Sequence, residues 1–150
     1  MQPFFNIQFL FSLFLVVTAP VLYGAEHVVE AVSTDGSGET MVFKPGYLKI
    51  EAGDTVIFKP SDPSHNAESI FSPTAASSFM TPVGADVAVT FAEEGVYLYK
   101  CTPHLVLGMV GIIQVGRATN KNEALLEWGA IEPSIAMNKD RMKSYLEQID

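Results

Sequence analysis

Gly95-Val96-Tyr97-Leu98-Tyr99-Lys100-Cys101-Thr102-Pro103-His104-Leu105-Val106-Leu107-Gly108-Met109-Val110-Gly111-Ile112-Ile113-Gln114-Val115 is the stretch on which the reading of this chain turns. It begins and ends in apolar runs, Gly95 to Tyr99 and Met109 to Val115, that read as strands joined by a short loop. The loop holds the only cysteine, one of three histidines and a methionine, spaced Cys-x-x-His-x-x-x-x-Met. Two such strands would gather these side chains at one end of a sheet.

A thiolate, an imidazole and a thioether supply most of a trigonal copper site, which uses two His, one Cys and a weak axial Met. That donor set is a compromise acceptable to both oxidation states of the metal. Cys101 and His104 share a loop, so the third strong ligand must come from elsewhere. His65, followed by Asn66, is the candidate, and Met109 would be axial. Taken singly, Cys101 reads as a buried small hydrophobe, His104 as a loop residue and Met109 as core. Their spacing favours ligation, as do the neighbours Pro103, Leu105, Val106 and Leu107, which are unusual in a solvent-facing loop. His27, near the N-terminus, reads as an ordinary strand residue. Asn66 and Thr102 each follow a candidate ligand, so a hydrogen bond between them would lock the two loops. Pro103 stiffens the loop and removes an N–H, and Gly108 permits a tight backbone approach.

Elsewhere in the chain, His27–Ser33, Met41–Phe43, Tyr47–Ile50, Thr55–Phe58 and Asp86–Phe91 read as short strands separated by Gly, Pro and Asp turns. Residues 61–82 are rich in Ser, Pro and Ala and read as a long irregular excursion. Six to eight short strands with no helix between them indicate an all-β sandwich. After Gly116 the pattern changes. Asn120–Trp128 reads as a helix with Asn120 and Glu123 spaced as a capping box and Gly129 as its stop. Pro133-Ser134 is expected to open a second helix, with Met142, Tyr145, Leu146 and Ile149 as its apolar stripe.

Residues 1–25 read as a secretory signal peptide, with an apolar run from Phe9 to Val17 and small residues at Ala19, Gly24 and Ala25. The absence of Lys or Arg before the run keeps a retained membrane anchor open as the alternative. The segment contains no charged residue, so residues 26–150 carry the whole net charge of −8. This charge disfavours nucleic acid as a partner. A lone cysteine in an exported chain makes no internal disulfide and is left as a metal ligand, a reactive group or an intermolecular bridge.

Cys101-Thr102-Pro103-His104, the four-residue gap to Met109 and the upstream His65-Asn66 resemble the cupredoxins, specifically the pseudoazurins. Met41-Val42-Phe43, Gly53-Asp54-Thr55-Val56 and the two C-terminal helices (119–150) extend the resemblance over residues 26–150. Plastocyanins share the ligand gaps but lack the helices. Amicyanin-like proteins have a shorter His-to-Met gap, and azurin-like ones a longer Cys-to-His gap. The resemblance implies a cupredoxin-like Greek-key β-sandwich with one type 1 copper ion. It implies a monomeric periplasmic electron carrier, free of the membrane after signal cleavage. This carrier would take an electron from a donor protein and pass it to a redox partner such as a nitrite or nitrous oxide reductase. His104 would be the exit, with Met41 packed against its ring. Pseudoazurins typically ring this face with lysines. Here Lys44, Lys59 and Lys100 are the candidates, and the sparse lysines and acidic chain suggest a more apolar docking surface. A copper carrier or store without a redox partner is the alternative. An enzyme is not indicated, since four protein ligands leave no open position for a substrate. Zinc is disfavoured because a thioether is a poor ligand for it.

Overall fold

The computed structural model describes residues 24–150. The expected targeting segment therefore lies outside the described residues, apart from Gly24 and Ala25. Among the described residues, eight strands form two four-stranded sheets. One contains β1 (Glu26–Thr34), β2 (Thr40–Lys44), β4 (Thr55–Pro60) and β6 (Val87–Thr90), in the order β2-β1-β4-β6. The other contains β3 (Tyr47–Ile50), β5 (Glu68–Phe71), β7 (Gly95–Lys100) and β8 (Val110–Val115), in the order β3-β8-β7-β5. The pairing is mixed: β1 with β4 and β3 with β8 are parallel, and β7 with β8 is antiparallel.

Side-chain alternation explains why β7 and β8, Lys100 and Gln114 apart, are apolar at both parities. Tyr97, Tyr99, Ile113 and Val115 face the first sheet and pack with Val29, Phe43, Val56, Phe58 and Phe91. Val96, Leu98, Val110 and Ile112 face the opposite way and meet Ala124, Trp128, Ile135, Met142, Leu146 and Ile149. A strand covered on both faces needs apolar residues at both parities. Tyr99 lies opposite Gly111 in the ladder, and a Cβ at Gly111 would overlap the Tyr99 ring. Cys101 and Met109 are fully buried where the inner core meets the end of this strand pair.

The C-terminal residues form α1 (Lys121–Ile131) and α2 (Asp140–Leu146). Their boundaries differ from the sequence expectation. The first helix runs through Gly129, beside which a Cβ would meet nothing, and ends at a 3-10 turn over Glu132–Ser134. Asn120 precedes the helix but does not cap it. Its side chain accepts from Val96 N–H at 2.6 Å and donates to the Val96 carbonyl at 3.1 Å, fastening the helix start to β7. The second helix opens at Asp140, not Pro133, because Ile135 is extended and Asn138 adopts φ 50°. The stripe itself is observed: Met142, Leu146 and Ile149 are buried and Tyr145 partly so. Within the expected irregular excursion, β5 pairs with β7 as an edge strand. It is only four residues long and half-buried throughout, so it carries no clear alternating pattern.

Candidate metal centre

The loop between β7 and β8 is a 3-10 turn over Thr102–Leu107, opened by Pro103 and closed by Gly108 at φ 74°. A left-handed residue here favours glycine. Space demands it too, since a Cβ at Gly108 would lie 2.5 Å from the Met137 carbonyl. Within the turn the His104 N–H bonds the Cys101 carbonyl at 3.1 Å. The strand ends close the loop, with Cys101 N–H bonded to Met109 O at 2.9 Å and Met109 N–H to His104 O at 3.2 Å. The loop thus holds Cys101, His104 and Met109 in one compact backbone unit.

His65 arrives from the segment after β4. Its Nδ1 lies 3.8 Å from Cys101 Sγ and 3.2 Å from His104 Nδ1, and the third edge, Cys101 Sγ to His104 Nδ1, is 3.4 Å. A point equidistant from the three atoms in their plane is about 2.0 Å from each, the range of metal–nitrogen bonds and slightly short for metal–sulfur. The expected cysteine and two histidines therefore meet around a space sized for one ion. His65 and Cys101 are buried and His104 is half-buried.

Two residues not singled out for this role from the sequence fix the His65 ring. Ser33 Oγ donates to Asp62 Oδ2 at 2.8 Å and lies 2.9 Å from His65 Nε2. Asp62 Oδ2 is itself 3.2 Å from Nε2. Acceptors on that side place the proton on Nε2 and leave the Nδ1 lone pair facing Cys101 and His104. A lone pair aimed at a second imidazole nitrogen 3.2 Å away is unfavourable unless a proton or a cation lies between them. The donor set thus fits a soft or borderline metal ion. Asp62 is legible in retrospect as the acid three residues before a histidine. Ser33, on a distant strand, gives no local signal.

Asn66 and Thr102 make the inter-loop lock expected from the sequence. Asn66 Oδ1 accepts from the Thr102 N–H at 2.8 Å, and Asn66 Nδ2 donates to Thr102 Oγ1 at 2.9 Å. Thr102 Oγ1 then donates to Glu68 Oε2 at 2.6 Å, and Lys100 lies 3.4 Å from the same carboxylate. Burial pushes the Cys101 thiol up, against the pull of the Asn66 and His104 N–H groups. Burial lowers His65, with Asp62 opposing it. Hydrogen bonds, first from Ser64 and then Ser33, hold the Asp62 carboxyl well below the usual carboxylate range. His27 lies in β1 as read from the sequence, outside the His65–Cys101–His104 group, and its Nε2 lies 2.8 Å from Asp54 Oδ2.

Residues 30–116 match the family model for copper binding proteins of the plastocyanin/azurin family. The chain is 40% identical to a putative pseudoazurin of Rhizobium leguminosarum bv. viciae, covering 90% of this chain and 87% of that one. It is 37% identical to the pseudoazurin of Paracoccus pantotrophus, over 85% and 86% of the two chains. The crystal structure of native pseudoazurin from Hyphomicrobium denitrificans superposes with a TM-score of 0.71 at 36% identity, over 84% of this chain and 99% of that one.

Proposed function

The chain belongs to the pseudoazurins, copper electron carriers of the plastocyanin/azurin family, and on that premise we propose that His65, Cys101, His104 and Met109 hold its copper ion for one-electron exchange with protein partners in the periplasm. The observation that carries the assignment is the triangle of Cys101 Sγ and the two Nδ1 atoms, with edges of 3.2 to 3.8 Å. Met109, fully buried in the same cluster as Cys101, is the fourth donor.

Copper bound there supplies a one-electron Cu(II)/Cu(I) couple. The residues around it limit what must move when the charge changes. Ser33 and Asp62 hold the His65 ring, and Asn66 holds the Cys101 loop through Thr102. A first shell fixed from two sides rearranges little, which keeps the barrier to electron transfer low. Cys101, Met109 and His65 are shut away from solvent, and His104 alone of the four reaches the surface. The electron accordingly leaves and enters through the His104 ring.

The surface around that ring supports docking by apolar contact. Val106 on the ligand loop is exposed, as are Met137, whose N–H bonds the Val106 carbonyl, and Met80 and Val83 beside the His65 segment. Lys100, the cation next to Cys101, is matched by Glu68, and Lys44 lies 3.4 Å from Asp35. Of the three candidate lysines only Lys59 is exposed without an ion pair among the described residues, and with a chain charge of −8 this leaves little positive field to steer an acidic partner. A copper nitrite reductase or nitrous oxide reductase presenting an apolar patch is the acceptor class proposed.

The test is the visible spectrum of the purified protein with Cu(II), then with ascorbate. An intense blue absorption that bleaches on reduction supports the four-residue assignment, provided Cys101→Ser abolishes it. A colourless protein whose Cys101 remains titratable overturns it.

A further inference from the structure

Three consecutive carbonyls of the ligand loop are each bonded by the segment leading into α2 or by the first turn of α2 itself. The Val106 carbonyl accepts from the N–H groups of Ala136 at 2.9 Å and Met137 at 3.3 Å. The Leu107 carbonyl accepts from Asn138 Nδ2 at 2.8 Å. The Gly108 carbonyl accepts from Arg141 Nη1 at 2.8 Å. The C-terminal helical unit is thus an outer wall to the loop as well as a cover for the sheet.

Arg141 does the most in this wall. Its side chain is 7% exposed, although it sits in the first turn of a short surface helix. Nη1 spends its second hydrogen on the Met41 carbonyl at 2.6 Å, and Nη2 donates to the Thr40 carbonyl at 3.0 Å. One planar group therefore joins the start of β2 to the end of the ligand loop. The nearby Glu39 carboxylate, at 3.8 Å and largely exposed, adds little. Met41 has φ 49°, a left-handed conformation that is unfavourable for a non-glycine residue. The guanidinium holds the carbonyl of that same residue, which offsets the cost.

We propose that Arg141 is a positioning residue of the metal centre, fixing the peptide that carries Met109. The Gly108 carbonyl and the Met109 N–H belong to one peptide plane. Arg141 holds its oxygen, and the His104 carbonyl holds its N–H. A plane bonded at both edges cannot tilt, so the Met109 side chain leaves it in a set direction. The weak axial thioether bond is the least able to fix its own length, so the protein sets it. This inference rests on the ligand assignment above for its effect on copper, but the restraint of the 108–109 peptide belongs to the metal-free chain as well.

The experiment compares Arg141→Gln, Arg141→Lys and, as a control of equal charge change, the exposed Lys143→Gln on the same helix. Amide hydrogen exchange of Met109 in the metal-free proteins is expected to be about tenfold faster in Arg141→Gln than in wild type and unchanged in Lys143→Gln. In the copper-loaded proteins, Arg141→Gln is expected to change the relative intensities of the charge-transfer bands and the reduction potential. Arg141→Lys should fall between, because an ammonium lacks the planar fork that spans two carbonyls. Should Arg141→Gln fail to fold, the comparison is made on Arg141→Lys alone, with faster Met109 exchange still required. Wild-type exchange together with a wild-type spectrum in the Arg141 variants would overturn the proposal, as would an equal shift in Lys143→Gln. A colourless wild-type protein would refute the ligand assignment instead and leave the exchange result to judge the restraint.

Discussion

Asn66 and Thr102 are bonded reciprocally across the two ligand-bearing segments: the Asn66 side chain accepts from the Thr102 N–H and donates to the Thr102 hydroxyl. Each residue follows a proposed ligand directly, so this amide reports on the separation of His65 and Cys101. Asn66→Ala leaves the Thr102 N–H without its partner at the edge of a buried site. The expected loss is about 1–3 kcal/mol of stability in the metal-free protein, read by denaturant unfolding. Asn66→Asp keeps the acceptor and loses the donor, and should cost less than Asn66→Ala. An Asn66→Ala protein as stable as wild type, with an unchanged copper spectrum, would show that the pair restrains nothing.

Tyr99 is fully buried in the inner aromatic cluster, and its hydroxyl is among the buried polar atoms without a hydrogen-bond partner among the described residues. Its ring makes the packing, close to Phe43 at 4.7 Å and Phe58 at 5.4 Å between centroids. Tyr99→Phe keeps those contacts and removes an unsatisfied polar group. Stability should hold or rise by about 1 kcal/mol. A fall of that size in thermal or denaturant unfolding would mean that the hydroxyl has a partner, such as a buried water.

Asp54 gathers the turn before β4. Its carboxylate accepts from Ala25 N–H at 2.7 Å and Glu51 N–H at 3.1 Å, with His27 Nε2 at 2.8 Å. The hydrogen bond with His27, then that from Glu51, holds its carboxyl below the usual value of 3.8. Because the folded value is the lower one, the stabilisation is fully present above about pH 4 and lost as pH falls through the folded value. Asp54→Asn should therefore be less stable than wild type at neutral pH, with the gap closing in that acid window. Unfolding curves across the pH range test this, and a gap independent of pH would sink it.

Val106 is exposed two residues after His104, in the middle of the proposed docking face. Val106→Asp puts a charge where the apolar contact is expected. Electron transfer with a copper nitrite reductase should slow about tenfold, about 1.4 kcal/mol of lost encounter, with the reduction potential little changed. For the wild type, the rate should depend only weakly on ionic strength, because Lys100 is already matched by Glu68. Stopped-flow kinetics at low and high salt decide it. A steep decline with salt would indicate electrostatic steering and contradict the apolar reading.

Trp128 joins α1 to the outer face of β7 and β8, in a different cluster from the proposed ligands Cys101 and Met109. Trp128→Ala should cost about 3–5 kcal/mol and lower the melting temperature, while the folded protein keeps its copper spectrum. Loss of colour in a fully folded variant would show that the helical layer acts on the site through the sheet. The restraint at Arg141 runs instead through the loop.

The order of the residues alone gave the sandwich and pointed to the proposed ligands. Alternation and turn residues marked seven of the eight strands, and the Cys101, His104 and Met109 spacing works because the loop between β7 and β8 is local. His65 and Asn66 were legible because few alternatives exist in a chain with three histidines. Partnerships across distant segments form only in the folded molecule. Ser33 reaches His65 from β1, Asn120 bonds β7 instead of capping its own helix, and Arg141 holds carbonyls 33 and 100 residues away. Short strands such as β5 also depend on their neighbours, since a half-buried edge has no pattern of its own. Local sequence carries periodicity and loop spacing. The identity of the donor that satisfies a buried carbonyl depends on which elements pack together, and that is fixed only when the chain closes on its core.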